Sequence, residues 1–256
     1  MKMNEMSMEN FRDFLKDTIR KEIDFSQTQQ SRGVPAPPIQ KPPSSDQTLI
    51  RLPDRGEWTS VGDIPLVSAI ENRQSRRIYT PEPLQMDELA FLLWACQGIR
   101  RLIDPGHALR TVPSAGCRHS FETYLLILNV AGLEPGLFRY LPVDRALVRE
   151  GDAGGRLPDR ITAATFGQSF IGKAAAVFVW ATLPHRMEWR YGPAAHRVIA
   201  MDAGHVCQNL YLACEAVGAG TCAVGAFDQE GMDRLAGVDG TDEFVIYLAP
   251  VGKVEP

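Results

Sequence analysis

A chain of 256 residues, 45% of them hydrophobic, can bury one large core or two small ones, and its formal net charge of −4 argues against nucleic acid as a partner. No run approaches the roughly 18 apolar residues that span a bilayer, and the polar opening, residues 1–10, does not read as a signal peptide, so no membrane is expected and the cytoplasm is. The five cysteines, Cys96, Cys117, Cys207, Cys214 and Cys222, contain no C-x-x-C pair, which argues against a disulfide framework or a structural zinc site.

The pattern over 8–23, with Phe11, Phe14, Leu15 and Ile19 on one side, predicts an amphipathic helix. Residues 25–53 are rich in Gln, Ser and Pro, and Pro35, Pro37, Pro38, Pro42 and Pro43 can neither continue a helix nor join a central strand. Residues 1–64 therefore read as an N-terminal helix and a Pro-rich extended arm, and 65–256 as the main domain. An arm of that length is commonly functional or wrapped over another surface.

After Pro65 a short helix over 66–73 ends in Arg73-Gln74-Ser75-Arg76-Arg77. Three arginines and a hydroxyl in five residues suit a phosphate; taken alone they suit a solvated basic turn as well. Residues 86–97, with Leu89, Leu92, Leu93 and Cys96, predict a second helix closed by Gly98, and 110–116 a turn. A strand over 121–130 should pair with 137–141 across the glycine-bounded turn 132–136. The unbroken apolar run 174–182 predicts a buried central strand. Loops 100–108 and 151–170 show no readable pattern and are expected to wall a cavity.

The strongest periodicity lies over 195–217, where Ile199, Ala203, Val206, Leu210, Ala213 and Val217 hold one helix face. A second stripe, Ala200, Gly204, Cys207, Tyr211 and Cys214, lies beside it. Such a helix, about 33 Å long, belongs at the centre of a core or at a subunit interface. The glycines of 218–225 follow the helix, the reverse of a dinucleotide-binding loop. Gly218 and Gly220 read as C-cap and turn, and 221–224 as a short extended segment. A helix over 229–235 and a strand over 244–251 complete an α+β pattern, a mainly antiparallel sheet flanked by helices.

Four blocks in order resemble the nitroreductase superfamily of FMN-dependent oxidoreductases, and within it the SagB-type dehydrogenase branch. They are residues 73–77, 113–122, 189–192 leading into 202–205, and 218–227. The resemblance covers roughly 65–252, and the Pro-rich arm looks like the lead segment of that branch. It implies that Arg73, Ser75 and Arg77 grip the FMN phosphate and ribityl chain, with Lys253 near the phosphate. It implies that the Pro113-Ser114-Ala115-Gly116 turn lies against the flavin, commonly from the partner subunit of a homodimer. Val224, Gly225 and Ala226 then lie near its reactive edge, where a backbone N–H can reach N5.

The activity implied is hydride transfer through FMN from NAD(P)H to a small electron-poor acceptor, a nitroaromatic or a quinone. Oxidation of azolines in modified peptides, as the branch name suggests, and a flavin-binding module with little turnover are the alternatives. Tyr191 and Arg190 are the catalytic candidates. Azoline-oxidising members carry a Lys-Tyr pair there, and a guanidinium, unlike a desolvated lysine, is a poor general base.

No metal site is expected. His119 and Glu122 read as structural, and His196 and His205, nine residues apart, fall on opposite helix faces. Ser114 lacks a hydrolase setting.

Overall fold

The computed structural model describes residues 8–152 and 156–255. The chain begins with helix α1 (Met8–Asp13), strand β1 (Leu49–Arg51) and helices α2 (Leu66–Asn72) and α3 (Met86–Gln97). Strands β2 (Ile99–Asp104), β3 (His107–Arg110), β4 (Phe121–Ile127), β5 (Gly136–Leu141) and β6 (Ala146–Asp152) follow, then helix α4 (Leu157–Ala164) and strand β7 (Ala176–Thr182). Helices α5 (His185–Tyr191) and α6 (Ala195–Glu215), strand β8 (Ala219–Thr221), helix α7 (Gln229–Ala236) and strand β9 (Phe244–Lys253) complete it.

Seven strands form one sheet in the order β1-β6-β5-β4-β7-β9-β8, with every pairing antiparallel. The architecture is the α+β one the pattern predicts. Strand β7 lies between β4 and β9, and its side chains alternate between two cores. Ala176, Phe178 and Trp180 pack with Leu93 of α3 and Ile199 and Leu210 of α6, whereas Val177, Val179 and Ala181 meet Ile161 of α4 and Leu235 of α7. A strand covered on both faces has no polar face to write into its sequence, which explains the unbroken apolar run.

Helix α6 buries Ile199, Ala203, Val206, Leu210 and Ala213 against the sheet. Of the small-residue stripe, Cys207 and Cys214 are buried and Tyr211 is half-buried, while Ala200 and Gly204 stand exposed with Met201, His205 and Gln208. The helix is thus core on one side and uncovered on the other. Gly218 takes φ +58° to turn the chain into β8, a conformation glycine adopts without steric cost.

Three local readings need correction. The helix expected over 8–23 is α-helical only in α1; Phe11, Phe14 and Leu15 are 47–69% exposed, and a stripe that buries nothing leaves a short helix to its weak intrinsic propensity. Loop 100–108 is a β2–β3 hairpin apart from the main sheet. Loop 151–170 holds α4, whose Pro158 sits in the first turn where its missing N–H costs nothing; residues 153–155 lie outside the described residues.

The arm runs over the protein's own surface, held by buried arginines. Proline deletes donors but leaves carbonyls, and a buried carbonyl needs a partner. Arg110 Nη2 donates to the Ile39 carbonyl at 2.6 Å, Arg118 Nη2 to Pro37 at 3.4 Å, and Arg139 Nη1 and Nη2 to Lys41 and Pro42 at 2.6 and 3.3 Å. Glu122 closes the network, accepting from the Lys41 backbone N–H at 2.8 Å and from Arg186 at 2.5 Å.

Candidate functional site

The residues singled out in the sequence gather in two clusters on α6. In the first, the loop after α2 is pinned across the β8–β9 edge: the Arg76 N–H donates to the Thr221 carbonyl at 2.9 Å, and Tyr79 Oη donates to the Arg76 carbonyl at 3.0 Å. Two glycines permit this approach. A Cβ on Gly220 would lie 2.5 Å from Arg76 Cγ, and one on Gly252 would lie 2.8 Å from Tyr79 Cγ.

Tyr211 of α6 organises what results. Its hydroxyl meets Ser75 Oγ at 2.9 Å and accepts from the Ala223 N–H at 2.8 Å, while Arg73 Cζ stands 5.3 Å from its ring centroid. Arg77 Cζ lies 5.8 Å from the Phe170 ring centroid. Among the described residues Arg73, Arg76 and Arg77 form no ion pair. The acid nearest in influence is Glu215, whose pKa burial raises while Arg76 and Arg73 draw it down. Val224 exchanges backbone hydrogen bonds with Leu248, but Gly225 and Ala226 are exposed, and no described group accepts from their N–H groups.

The second cluster is the turn before β4, and its centre is Asp202 of α6. Ser114 Oγ donates to Asp202 Oδ2 at 2.6 Å and accepts from the His119 N–H at 3.0 Å, and the Ala115 N–H reaches the same carboxylate oxygen at 3.3 Å. Burial raises the Asp202 pKa, and the hydrogen bonds from Ser114 and Ala115 oppose it. Gly116 has φ +56°, and a Cβ there would lie 2.7 Å from Arg190 Cδ and from Tyr191 Oη. The turn therefore meets both catalytic candidates. His119, at φ +46°, is buried with Nε2 3.2 Å from the Ala108 carbonyl oxygen; its pKa falls to about 3, chiefly through burial and then through Arg110. Its place is structural, as is that of Glu122.

The clusters stay apart. Asp202 and Tyr211 are nine residues apart on one helix, about 13.5 Å along the axis and half a turn around it. Nor does the Lys253 ammonium join the arginines: it turns inward to Glu88 Oε1 at 2.6 Å and the Val217 carbonyl at 2.7 Å. Asp202, Tyr211 and Gln30, which bonds Arg190 from the arm, carry much of this geometry. Sequence reasoning assigned them no role. For Asp202 the available signals were its place in the 202–205 block and an acid on the buried side of a helix.

The nitroreductase family model matches residues 70–253. The chain belongs to the nitroreductase family. That membership makes it an oxidoreductase by descent. The Methanocaldococcus jannaschii protein named "Putative nitroreductase MJ1384" is 32% identical over 208 residues, 81% of this chain and 98% of that one. A nitroreductase-family crystal structure from Anabaena variabilis superposes with a TM-score of 0.63 at 29% identity over 74% of this chain, which spans 38% of that protein's length. A chain of the E. coli microcin synthetase McbBCD complex with truncated pro-MccB17 bound matches over 100% of both chains, with a TM-score of 0.59 at 17% identity, a likeness of fold. No helix among the described residues is long and apolar enough to cross a membrane.

Proposed function

We propose that this nitroreductase-family protein is an FMN-dependent oxidoreductase that passes reducing equivalents from NAD(P)H to a small electron-poor acceptor, such as a quinone or nitroaromatic, and works as a homodimer. One observation carries the reading. Arg73, Arg76 and Arg77 lie within five residues of one another on the loop that Gly220 admits to the sheet edge, and none of them forms an ion pair among the described residues. Paired donors on planar guanidinium groups suit a phosphate dianion better than they suit solvent.

In this reading Arg73, Ser75 and Arg77 hold the FMN phosphate and ribityl chain, and the free N–H groups of Gly225 and Ala226 supply donors at the ring edge. The bound flavin supplies the two-electron chemistry, and the protein supplies orientation and a shaped cavity. Tyr211 fixes Ser75 and Ala223 relative to each other, so the phosphate end and the ring end are set by one hydroxyl. Lys253 acts indirectly, tying β9 to Glu88 of α3 beneath the arginine loop. Two features support a dimer: α6 has an uncovered small-residue face, and its two clusters lie on opposite sides, so a second copy is needed to bring a Ser114–Gly116 turn to a Ser75 cluster.

Azoline oxidation is the second reading, favoured by the likeness to the microcin synthetase chain. Arg190 weighs against it, since no base stands in the lysine position.

Purification tests the proposal. The protein should be yellow and release FMN, oxidise NAD(P)H with a quinone, and leave a thiazoline peptide unchanged by mass. Arg73→Ala/Arg77→Ala should strip the flavin, each contact contributing about 1.5–3 kcal/mol. A colourless protein that takes up no added FMN would sink the proposal, and loss of two hydrogens from the peptide would establish the second reading in its place.

A further inference from the structure

Arg190 is a cation with its position fixed and its charge left over. Its Nη1 donates to Gln30 Oε1 at 3.0 Å, and Gln30 is itself anchored because its backbone N–H donates to the Trp189 carbonyl at 2.9 Å. Trp189 Nε1 returns a bond to the arm at the Val34 carbonyl, 2.8 Å away. On its other side the Arg190 stem lies against Gly116, where any Cβ would strike Cδ and Nε at 2.7 Å. Its Nε and Nη2 have no hydrogen-bond partner among the described residues; Cζ stands 5.5 Å from the Tyr191 ring centroid, and the group is half-buried.

The surroundings add positive charge. Arg118 is fully buried and donates only to carbonyls, those of Arg186, Gly106 and Pro37. Arg20 faces the Tyr191 ring with Cζ 6.0 Å from its centroid, but it has its own acid, Asp17, at 2.7 Å. Asp104, the acid nearest Arg118 in influence, is held by His107 and the Gly106 N–H. Asp202 is committed to Ser114 and Ala115. Arg118 and Arg190 are therefore two neighbouring guanidinium groups, one buried and one half-buried, with no ion-paired carboxylate among the described residues, and like charges so placed are relieved by an incoming anion. A carboxamide at residue 30 suits such a place, because its oxygen orients the guanidinium without neutralising it.

We propose that Arg190 anchors an oxyanion on the small molecule this enzyme takes up, and that Gln30, from the Pro-rich arm, is the positioning residue that holds it there. The arm is then a working wall of the site. The inference rests on the oxidoreductase reading only in taking this cluster to face a substrate. The oxyanion belongs either to a carboxylate-bearing acceptor or to the 2′-phosphate of a nicotinamide dinucleotide.

The test is calorimetric titration of the protein as purified, with no turnover, using benzoate, benzyl alcohol, adenosine 2′,5′-bisphosphate and adenosine 5′-phosphate. Benzoate should bind and benzyl alcohol should not if the acceptor carries the charge; the bisphosphate should bind in preference to the monophosphate if the dinucleotide does. In either case Arg190→Gln should weaken binding about tenfold or more, and Arg190→Lys should retain most of it. Gln30→Glu supplies Arg190 with an internal counter-ion, so it should lose the anion while melting no lower than wild type, an outcome that a merely structural Gln30 would not give. Equal binding of both anions to wild type and Arg190→Gln, or binding of neither to wild type, overturns the inference. A protein that binds benzoate through Arg190 but oxidises no NAD(P)H would sink the proposed function and leave this inference standing.

Discussion

Around Ser75 the polar groups face outward; around Ser114 they face one another. The arginines of the first cluster are exposed or half-buried and lack ion pairs, whereas the second spends a buried carboxylate on one hydroxyl and one backbone N–H and seals the result with a glycine at positive φ. Physical cost explains the contrast. An unpaired cation in water costs little, but a buried polar group must be satisfied or it destabilises the fold. The first cluster has donors to give a ligand, and the second is built to hold its shape while presenting Arg190 and Tyr191.

The largest expected effect breaks the helix the two clusters share. Leu210 is fully buried within the single chain, so Leu210→Glu should abolish the cooperative melting transition. Gly204→Glu, on the exposed face of the same helix, should melt normally and, if that face is the subunit contact, sediment as a monomer. A normally folded Leu210→Glu variant would overturn the assignment of faces.

Next in size is the Asp202→Ala variant, which orphans Ser114 Oγ and the Ala115 N–H and should cost about 2–4 kcal/mol in urea unfolding. The same measurement on flavin-free Arg73→Ala/Arg77→Ala should fall within about 0.5 kcal/mol of flavin-free wild type. Equal losses in the two variants would erase the distinction between the clusters.

A smaller effect isolates His119, which underpins the second cluster. Unfolded, the imidazole takes a proton near its ordinary pKa of 6.5; folded, it resists until about 3. Between these values the unfolded chain binds more protons, so stability contributed by the neutral buried ring is complete above pH 6.5 and lost as pH falls, at up to about 1.4 kcal/mol per unit. His119→Asn, which tolerates the positive φ and does not titrate, should flatten this slope in melts between pH 6.5 and 4. An unchanged slope would assign the acid sensitivity elsewhere. Smallest of all, Ser75→Ala should cost under about 1 kcal/mol of stability, since Tyr211 keeps the Ala223 N–H, and should show itself mainly as weaker FMN retention on dialysis.

Much of the framework was legible in the sequence because burial writes itself as periodicity. Strand β7 reads from its unbroken apolar run and α6 from its alternating steps of three and four. The hairpin β2–β3 did not read, because a ribbon with β2 largely exposed and only Ala108 and Arg110 of β3 buried has no hydrophobic face to print. Helix α4 was hidden by its shortness, eight residues. Arg110, Arg118 and Arg139 gave no sign that they hold the arm, since each pairs with carbonyls tens of residues away.

The sequence by itself determined helices α2, α3, α6 and α7, strands β4, β5, β7 and β9, the antiparallel α+β class, and the residue chemistry of the candidate site: three arginines and a serine within five residues, a small-residue turn, and Arg190 where a lysine would be a base. Only the tertiary structure decided that these residues form two clusters on opposite sides of α6, that Lys253 turns inward to Glu88, and that the arm reaches Arg190 through Gln30. Periodicity records which face of an element is buried, but not which distant polar group will meet it. Those pairings depend on where the chain returns in space, and a single sequence carries no local signal of that.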